Sequence, residues 1–177
     1  LTLAGCEAQQ EKWLPALAEG KLQAAVCLTE AGGSRDGAGV TVVDNTLSGT
    51  LLFALGAPDA DLLLCSCAGG ELYALQRDAP GLQWIALRSI DDTRCLWELN
   101  LQGVKAQLLS GGIGDVIAPL LAAGRVALAA DTLGASQSML DKAVAYAGER
   151  KQFNRLIGSF QAVKHLCAEM AAELEPC

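Results

Sequence analysis

The chain is short of histidine, of positive charge and of long apolar runs, with one His and 13 Lys and Arg against 20 Asp and Glu. Each shortage excludes something. The lone His165 leaves the only closely spaced cysteines, Cys65 and Cys67, without a second half for a tetrahedral zinc site. Buried free thiols are expected there instead. A net charge of −7 excludes a general nucleic-acid face, because phosphate binding needs a concentrated basic surface, although a local anion site stays open. The longest apolar candidate, VIAPLLAAGRVALAADTL, is interrupted by Pro119, Arg125 and Asp131. No uninterrupted part of it reaches the ~18 residues that span a bilayer, and the expectation is a buried helix of a soluble protein with no membrane span. The opening LTLAGCEAQQ has neither a charged leader region nor a cleavage site, and the seven cysteines are odd in number and lie in apolar runs. A reducing, cytoplasmic setting is the corresponding expectation.

What is present argues for a folded chain. Hydrophobic residues make up 51% and charged residues 19%, enough apolar surface to offset the entropy of ordering. At 177 residues this is one folding unit or a piece of one. Residues 1–20 hold a Gln/Glu/Lys-rich helix that Pro15 and Gly20 are expected to close. From 21 to about 112 come short β-like runs, among them QAAVCLTE, GVTVVDNTLSGTLLFAL, DLLLCSC, ELYALQ, LQWIALRSI and CLWELNLQGVKAQLL. Turn signals at Gly32-Gly33, Asn45, Ser48-Gly49, Pro58-Asp59, Gly69-Gly70 and Pro80-Gly81 separate them at the spacing of a β-sandwich or barrel. From 113 to 177 the pattern is helical, with Asp115 as a candidate N-cap and a second helix from about Ser159. Phe160, Val163, Cys167, Met170 and Leu174 fall at alternating three- and four-residue spacing, a seam that packs on another helix. The fold class is therefore α+β, an antiparallel barrel or sandwich followed by long helices.

Four stretches carry a resemblance in the same order along the chain. GCEAQQEKWLPALAEG, CLTEAGGS, LWELNLQGVKAQLLSG and YAGERKQFNRLIGSFQAVKHLCAEM resemble the acyl-CoA dehydrogenase family at the entry to its middle domain, its flavin loop, the strand leading into its third domain, and that domain's arginine-aromatic element. The resemblance implies a central β-barrel between helical domains, with FAD held between the barrel and helices of its own and a neighbouring subunit. It implies an acyl-CoA thioester substrate, a homo- or hetero-oligomer and an electron-accepting flavoprotein as partner. In the flavin loop Leu28, Thr29 and Ser34 match positions at the ring's polar edge, with Ser34 also toward substrate. Gly32-Gly33 beside them fits close approach to a ligand or a plain hairpin turn. Phe53 matches an aromatic on the second barrel strand. Arg150, Gln152 and Phe153 match the element that meets the FAD diphosphate and adenosine, and Phe160 and Gln161 match a nearby cofactor contact. An arginine fork suits a diphosphate, while a cation ending a helix also complements the helix dipole. Arg125 matches an arginine near the acyl-CoA, with an ion pair to Asp131 or another acid as the alternative. His165 is expected at the helix surface or in packing.

Departures from the family pattern bear on chemistry. Its reaction takes the α-proton of the thioester with a glutamate while the flavin accepts the β-hydride. Where some members carry that base on the first long helix this chain has Gly124, so no catalytic residue is assigned. Leu55 stands where a threonine hydroxyl is usual, Asn154 where glycine is, and EAGGS lacks the family proline and one residue. The expected function is FAD-dependent α,β-dehydrogenation of acyl-CoA thioesters with the base outside this chain. The alternatives are a non-catalytic subunit that completes a partner's FAD site, and a β-domain with a helical oligomerisation hairpin unrelated to flavin.

Overall fold

The computed structural model describes residues 1–28, 35–56, 59–67, 69–91, 93–109 and 116–177. Thr29, Ser34, Gly32-Gly33 and Asp115 therefore lie outside the described residues. The chain divides into two compact units, Leu1–Leu121 and Ala122–Cys177.

The first unit holds α1 (Glu7–Ala18), β1 (Ala24–Cys27), β2 (Gly39–Val43), β3 (Thr46–Leu55), β4 (Leu62–Ser66), β5 (Leu72–Gln76), β6 (Leu82–Leu87), β7 (Leu96–Lys105) and β8 (Gln107–Leu108). They form two four-stranded sheets, β1-β4-β5-β8 and β2-β3-β7-β6. Every described pair is antiparallel except β1 with β4, which run parallel with Cys27 opposite Cys65. One face of each sheet contributes to a shared core, with Leu63, Cys65 and Leu75 from the first and Leu47, Leu51, Leu99 and Val104 from the second. The other face of the first sheet is covered in turn. Leu62, Leu64, Leu72 and Ala74 pack with Ala4, Trp13 of α1, and Leu109. This double burial explains why LLLC of β4 is an unbroken apolar run rather than an alternating one. Cys65 and Cys67 are buried free thiols, as expected, and the thiol of Cys65 is pushed well up by its hydrogen bond with Cys27 and by burial.

Two sequence expectations fail here for physical reasons. Pro15 does not end the first helix but lies inside it. Its missing N–H and ring disturb only the carbonyl of Glu11, on an exposed turn, while Trp13 beside it is anchored in the core. The helix ends instead at Ala18, followed by Gly20 at φ +68°. Ser48-Gly49 is not a turn either, since both residues lie within β3. Gly49 sits at φ +136° beside a register shift, where a Cβ would meet the Gly39 carbonyl oxygen of β2 at 2.1 Å. The strands approach too closely there for any side chain.

The second unit holds most of α2 (Ile117–Glu149), then β9 (Lys151–Gln152), β10 (Arg155–Leu156), a 3-10 turn at Ile157–Ser159 and α3 (Gln161–Leu174). Pro119 falls in the first turn of α2, where an N–H has no intrahelical partner to lose. The expectation that this apolar stretch forms a buried helix is not met. Only Leu140 and Ala147 of α2 are buried, and its most apolar 18-residue window, with mean hydropathy 1.3, has no buried residue. Hydropathy states a demand for burial without naming what meets it. Nor is the stretch broken, because the folded helix runs through Pro119, Arg125 and Asp131. By length and composition alone it is long and apolar enough to cross a membrane. Each charge at a bilayer centre costs ~2.5–3.5 kcal/mol, and the helix carries both Arg125 and Asp131. In α3 the half-buried positions are Val163, Cys167, Ala171 and Leu174, so Ala171 takes the place predicted for Met170, which is 39% exposed.

Open space around α2 gives a direct stability test. A Cβ on Gly124 would meet nothing within 4 Å. Gly124→Ala is expected to stabilise the helix by about 1 kcal/mol through propensity alone. Thermal unfolding should show a midpoint ~2–4 °C higher.

Candidate functional site

On the β unit the relevant feature is a defect in β3. Register with β7 slips between Leu51 and Ala54, and Phe53, inside the slip, adopts φ +57° with 48% of its surface exposed. A bulky residue in the left-handed region is strained, and such strain persists only where the surroundings impose it. Two residues on, Leu55 is 50% exposed and pairs with Leu96, which pairs in turn with Leu87. The sheet thus presents an apolar row beside the strained aromatic, with no hydroxyl at Leu55. Leu28, at the end of β1, is half-buried against the α1 side of the unit.

The same sheet carries an ion pair that the sequence reading missed. Glu98 of β7 is 8% exposed and accepts a hydrogen bond from Arg35 Nη1 at 2.8 Å. No motif joins residues so far apart, and only the observed pairing reveals them. The bond to Arg35, opposed by burial and aided by the charge, lowers the Glu98 carboxyl below its usual value. A depressed carboxylate contributes stability above its ordinary titration range and loses it as pH falls through the folded value. The stability difference between the parent and Glu98→Gln should be full at neutral pH and shrink below about pH 4.5. Thermal unfolding across that range would measure it. On the opposite face Trp97 stands edge-on to Trp84 at 6.3 Å and 82°, and its buried indole Nε1–H has no acceptor among the described residues.

On the helical unit the predicted residues converge. β9 and β10 pair as a minimal hairpin, Gln152 opposite Arg155 and Lys151 opposite Leu156. Phe153 and Asn154 form its two-residue turn at φ +51° and +60°, a primed turn whose twist suits adjoining strands. Asparagine tolerates that conformation, so Asn154 replaces glycine without breaking the turn. The hairpin is tied to α2 because Arg150 N donates to Tyr146 O at 2.9 Å and Ile157 N donates to Arg150 O at 2.8 Å. Gly158 completes the tie, since a Cβ there would lie 2.8 Å from the Ala147 carbonyl oxygen. The result is a rigid mount for exposed groups. Phe153 is 87% exposed and meets Phe160 edge-on at 6.1 Å, and the guanidinium of Arg155 lies 3.9 Å from the Phe160 ring centroid. Arg155 was not singled out from sequence. Arg150 is exposed without an ion pair among the described residues, Gln152 donates to its neighbour's carbonyl at 2.8 Å, and Gln161 opens α3 exposed. Arg125 lies elsewhere on this unit, beside Leu128, Thr132 and Leu174 in a groove of about 490 Å³. His165 is on the exposed surface of α3.

A two-sheet β unit followed by a helical hairpin with an arginine-aromatic turn is the arrangement that the sequence resemblance implied. The family model of the acyl-CoA dehydrogenase C-terminal domain matches residues 111–176. The chain is 30% identical to the caffeyl-CoA reductase-Etf complex subunit CarC of Acetobacterium woodii, over 99% of this chain and 52% of that one. Its fold is similar to that of butyryl-CoA dehydrogenase from Megasphaera elsdenii, with TM-score 0.84 and 29% identity over 97% of this chain and 50% of the other. It is also similar to a glutaryl-CoA dehydrogenase from Mycobacterium smegmatis in complex with FADH2, with TM-score 0.82 and 25% identity over 98% and 49%. The chain belongs to the acyl-CoA dehydrogenase family. The chain spans about half the length of curated relatives that it matches almost end to end.

Proposed function

We propose that the chain takes part in FAD-dependent α,β-dehydrogenation of acyl-CoA thioesters, contributing β-unit and helical-unit portions of the cofactor site and no catalytic base. The observation that carries this reading is the exposed hairpin tip. An aromatic ring 87% in water, on a turn fixed by backbone ties, is costly unless a planar ligand covers it. Arg150 adjoins the same hairpin and supplies permanent charge for a diphosphate. Phe53, exposed by its bulge, fits a second planar group in the same way. The residues present therefore suit FAD, whose chemistry when bound is acceptance of a hydride.

The chain's own residues would bind and orient. Arg150 and Gln152 would hold polar atoms of the cofactor, Phe153 and Phe160 would cover its apolar surface, and Leu28 with Phe53 would border the ring from the β unit. Thr29 and Ser34 belong to the same assignment by the resemblance. Arg125 would orient the thioester. The proton would go to a carboxylate outside this chain, since Gly124 offers none at the position that the resemblance points to. An oligomer, an acyl-CoA substrate and an electron-accepting flavoprotein belong to this reading too, supported by relatives whose names carry an Etf complex and glutaryl-CoA or butyryl-CoA. So does a reducing, cytoplasmic setting, supported by Cys27 and Cys65, which sit opposite each other as free thiols.

Leu55 favours one second reading. An exposed leucine in place of a hydroxyl leaves a polar ring edge without a partner, which points to a non-catalytic subunit that completes a partner's site through the Arg150 hairpin. The visible absorption spectrum of the purified chain after incubation with FAD and gel filtration tests the proposal. A retained, protein-shifted flavin band supports it. A flavin-free chain that restores flavin to an intact sibling subunit supports the second reading, and one that does neither rejects both.

A further inference from the structure

Within the proposed cofactor element, and resting on that reading, one residue has a position that the element's own pattern does not explain. Arg155 is the first residue of β10, directly across from Gln152. Its guanidinium turns back onto the face of Phe160 at 3.9 Å, while Phe160 presents its ring to Phe153 at 79°. The order is cation, ring, exposed ring.

We infer that Arg155 is a positioning residue, which fixes Phe160 and through it the solvent-facing ring of Phe153 at the cofactor element. Three observations combine. The turn that carries Phe153 has both central residues in the left-handed region, so its backbone direction is set, but nothing in a two-residue turn fixes the side-chain rotamer of an 87% exposed ring. Phe160 is the residue before α3, and its backbone N–H is held by Ile157 O at 3.1 Å, which makes it a stationary neighbour. Arg155 covers the Phe160 face from the strand side. A planar guanidinium stacks on an aromatic face where an ammonium only points at it, so arginine restricts the ring more than lysine would. Without Arg155, Phe160 gains rotamers and Phe153 loses its edge contact, and a ligand must then order both rings as it binds.

The chain contains three phenylalanines, Phe53, Phe153 and Phe160, so fluorine labelling of phenylalanine gives three resonances that single leucine substitutions assign. The expected result for Arg155→Gln is that the Phe153 and Phe160 resonances move toward their unfolded positions while Phe53 stays in place. FAD affinity, followed by flavin fluorescence in the 177-residue chain, should fall about fivefold, the size of an exposed cation–π contact. Arg155→Lys should restore part of the affinity and less of the fluorine shift. In a Phe160→Leu background Arg155→Gln should change affinity no further, because the route runs through that ring. An undiminished effect in that background would overturn the inference and make Arg155 a direct charge contact. An unmoved Phe153 resonance would overturn it as well. If the parent chain binds no FAD, the proposed function fails, and the fluorine spectrum alone decides whether Arg155 sets the rings.

Discussion

Gly49→Ala is expected to lower the thermal midpoint by about 10 °C, the largest stability loss of any single methyl addition considered for this fold. Two costs combine at that residue. The first is conformational, since φ +136° lies where side chains are essentially excluded, at ~1–3 kcal/mol. The second is contact. The added Cβ would stand 2.1 Å from the Gly39 carbonyl oxygen and 3.1 Å from Val40 Cα, both backbone atoms of the paired strand. Relief requires β2 to shift, and its second residue, Val40, is 1% exposed, so the core moves with it at a further ~1–3 kcal/mol. Circular dichroism melting of the two chains checks this. A shift under 3 °C would show that the strands separate more easily than their pairing implies.

Arg150→Ala is expected to reduce FAD retention by about a hundredfold while leaving the melting curve unchanged. The two readouts separate because the side chain and the backbone of Arg150 have different duties. Its N–H and C=O tie α2 to the hairpin through Tyr146 and Ile157, and alanine preserves both bonds. Its side chain is exposed and makes no ion pair among the described residues, so its loss removes only what it offers to a ligand. Equilibrium dialysis with FAD, beside thermal unfolding, measures both quantities. Equal flavin retention in parent and variant would remove the diphosphate role, and a lowered midpoint with equal retention would make Arg150 structural.

What could be read from sequence divides by whether a residue type has one structural meaning or several. Asn45 marked a true turn, at φ +57°, because asparagine beside a β-branched run has few other uses. Gly49 did not, because glycine serves turns and close strand contacts alike. Pro15 looked like a terminator, since sequence cannot show that Trp13 fastens the helix from the far side. The apolar letters of α2 were legible and its exposure was not. Arg150, Phe153 and Phe160 were singled out by resemblance, whereas Arg155 and Glu98 meet Phe160 and Arg35, partners that only folding brings near. The parallel pairing of β1 with β4 was likewise invisible, as alternation predicts a strand but not its direction.

That parallel pairing also orders events while the chain is being made. Ala24 waits for Leu62, and β3 waits for β7, where Thr46 meets Lys105, so the first unit cannot close until nearly all of it has been synthesised. The second unit closes over a few residues, Lys151 with Leu156 and Arg150 with Ile157, on the short timescale of helices and hairpins. Nascent chains ending between β4 and β7 carry Val40, Leu47, Leu51 and Leu63 without the strand that covers them. At those intermediate lengths the uncovered core residues are expected to make the nascent chain most prone to association.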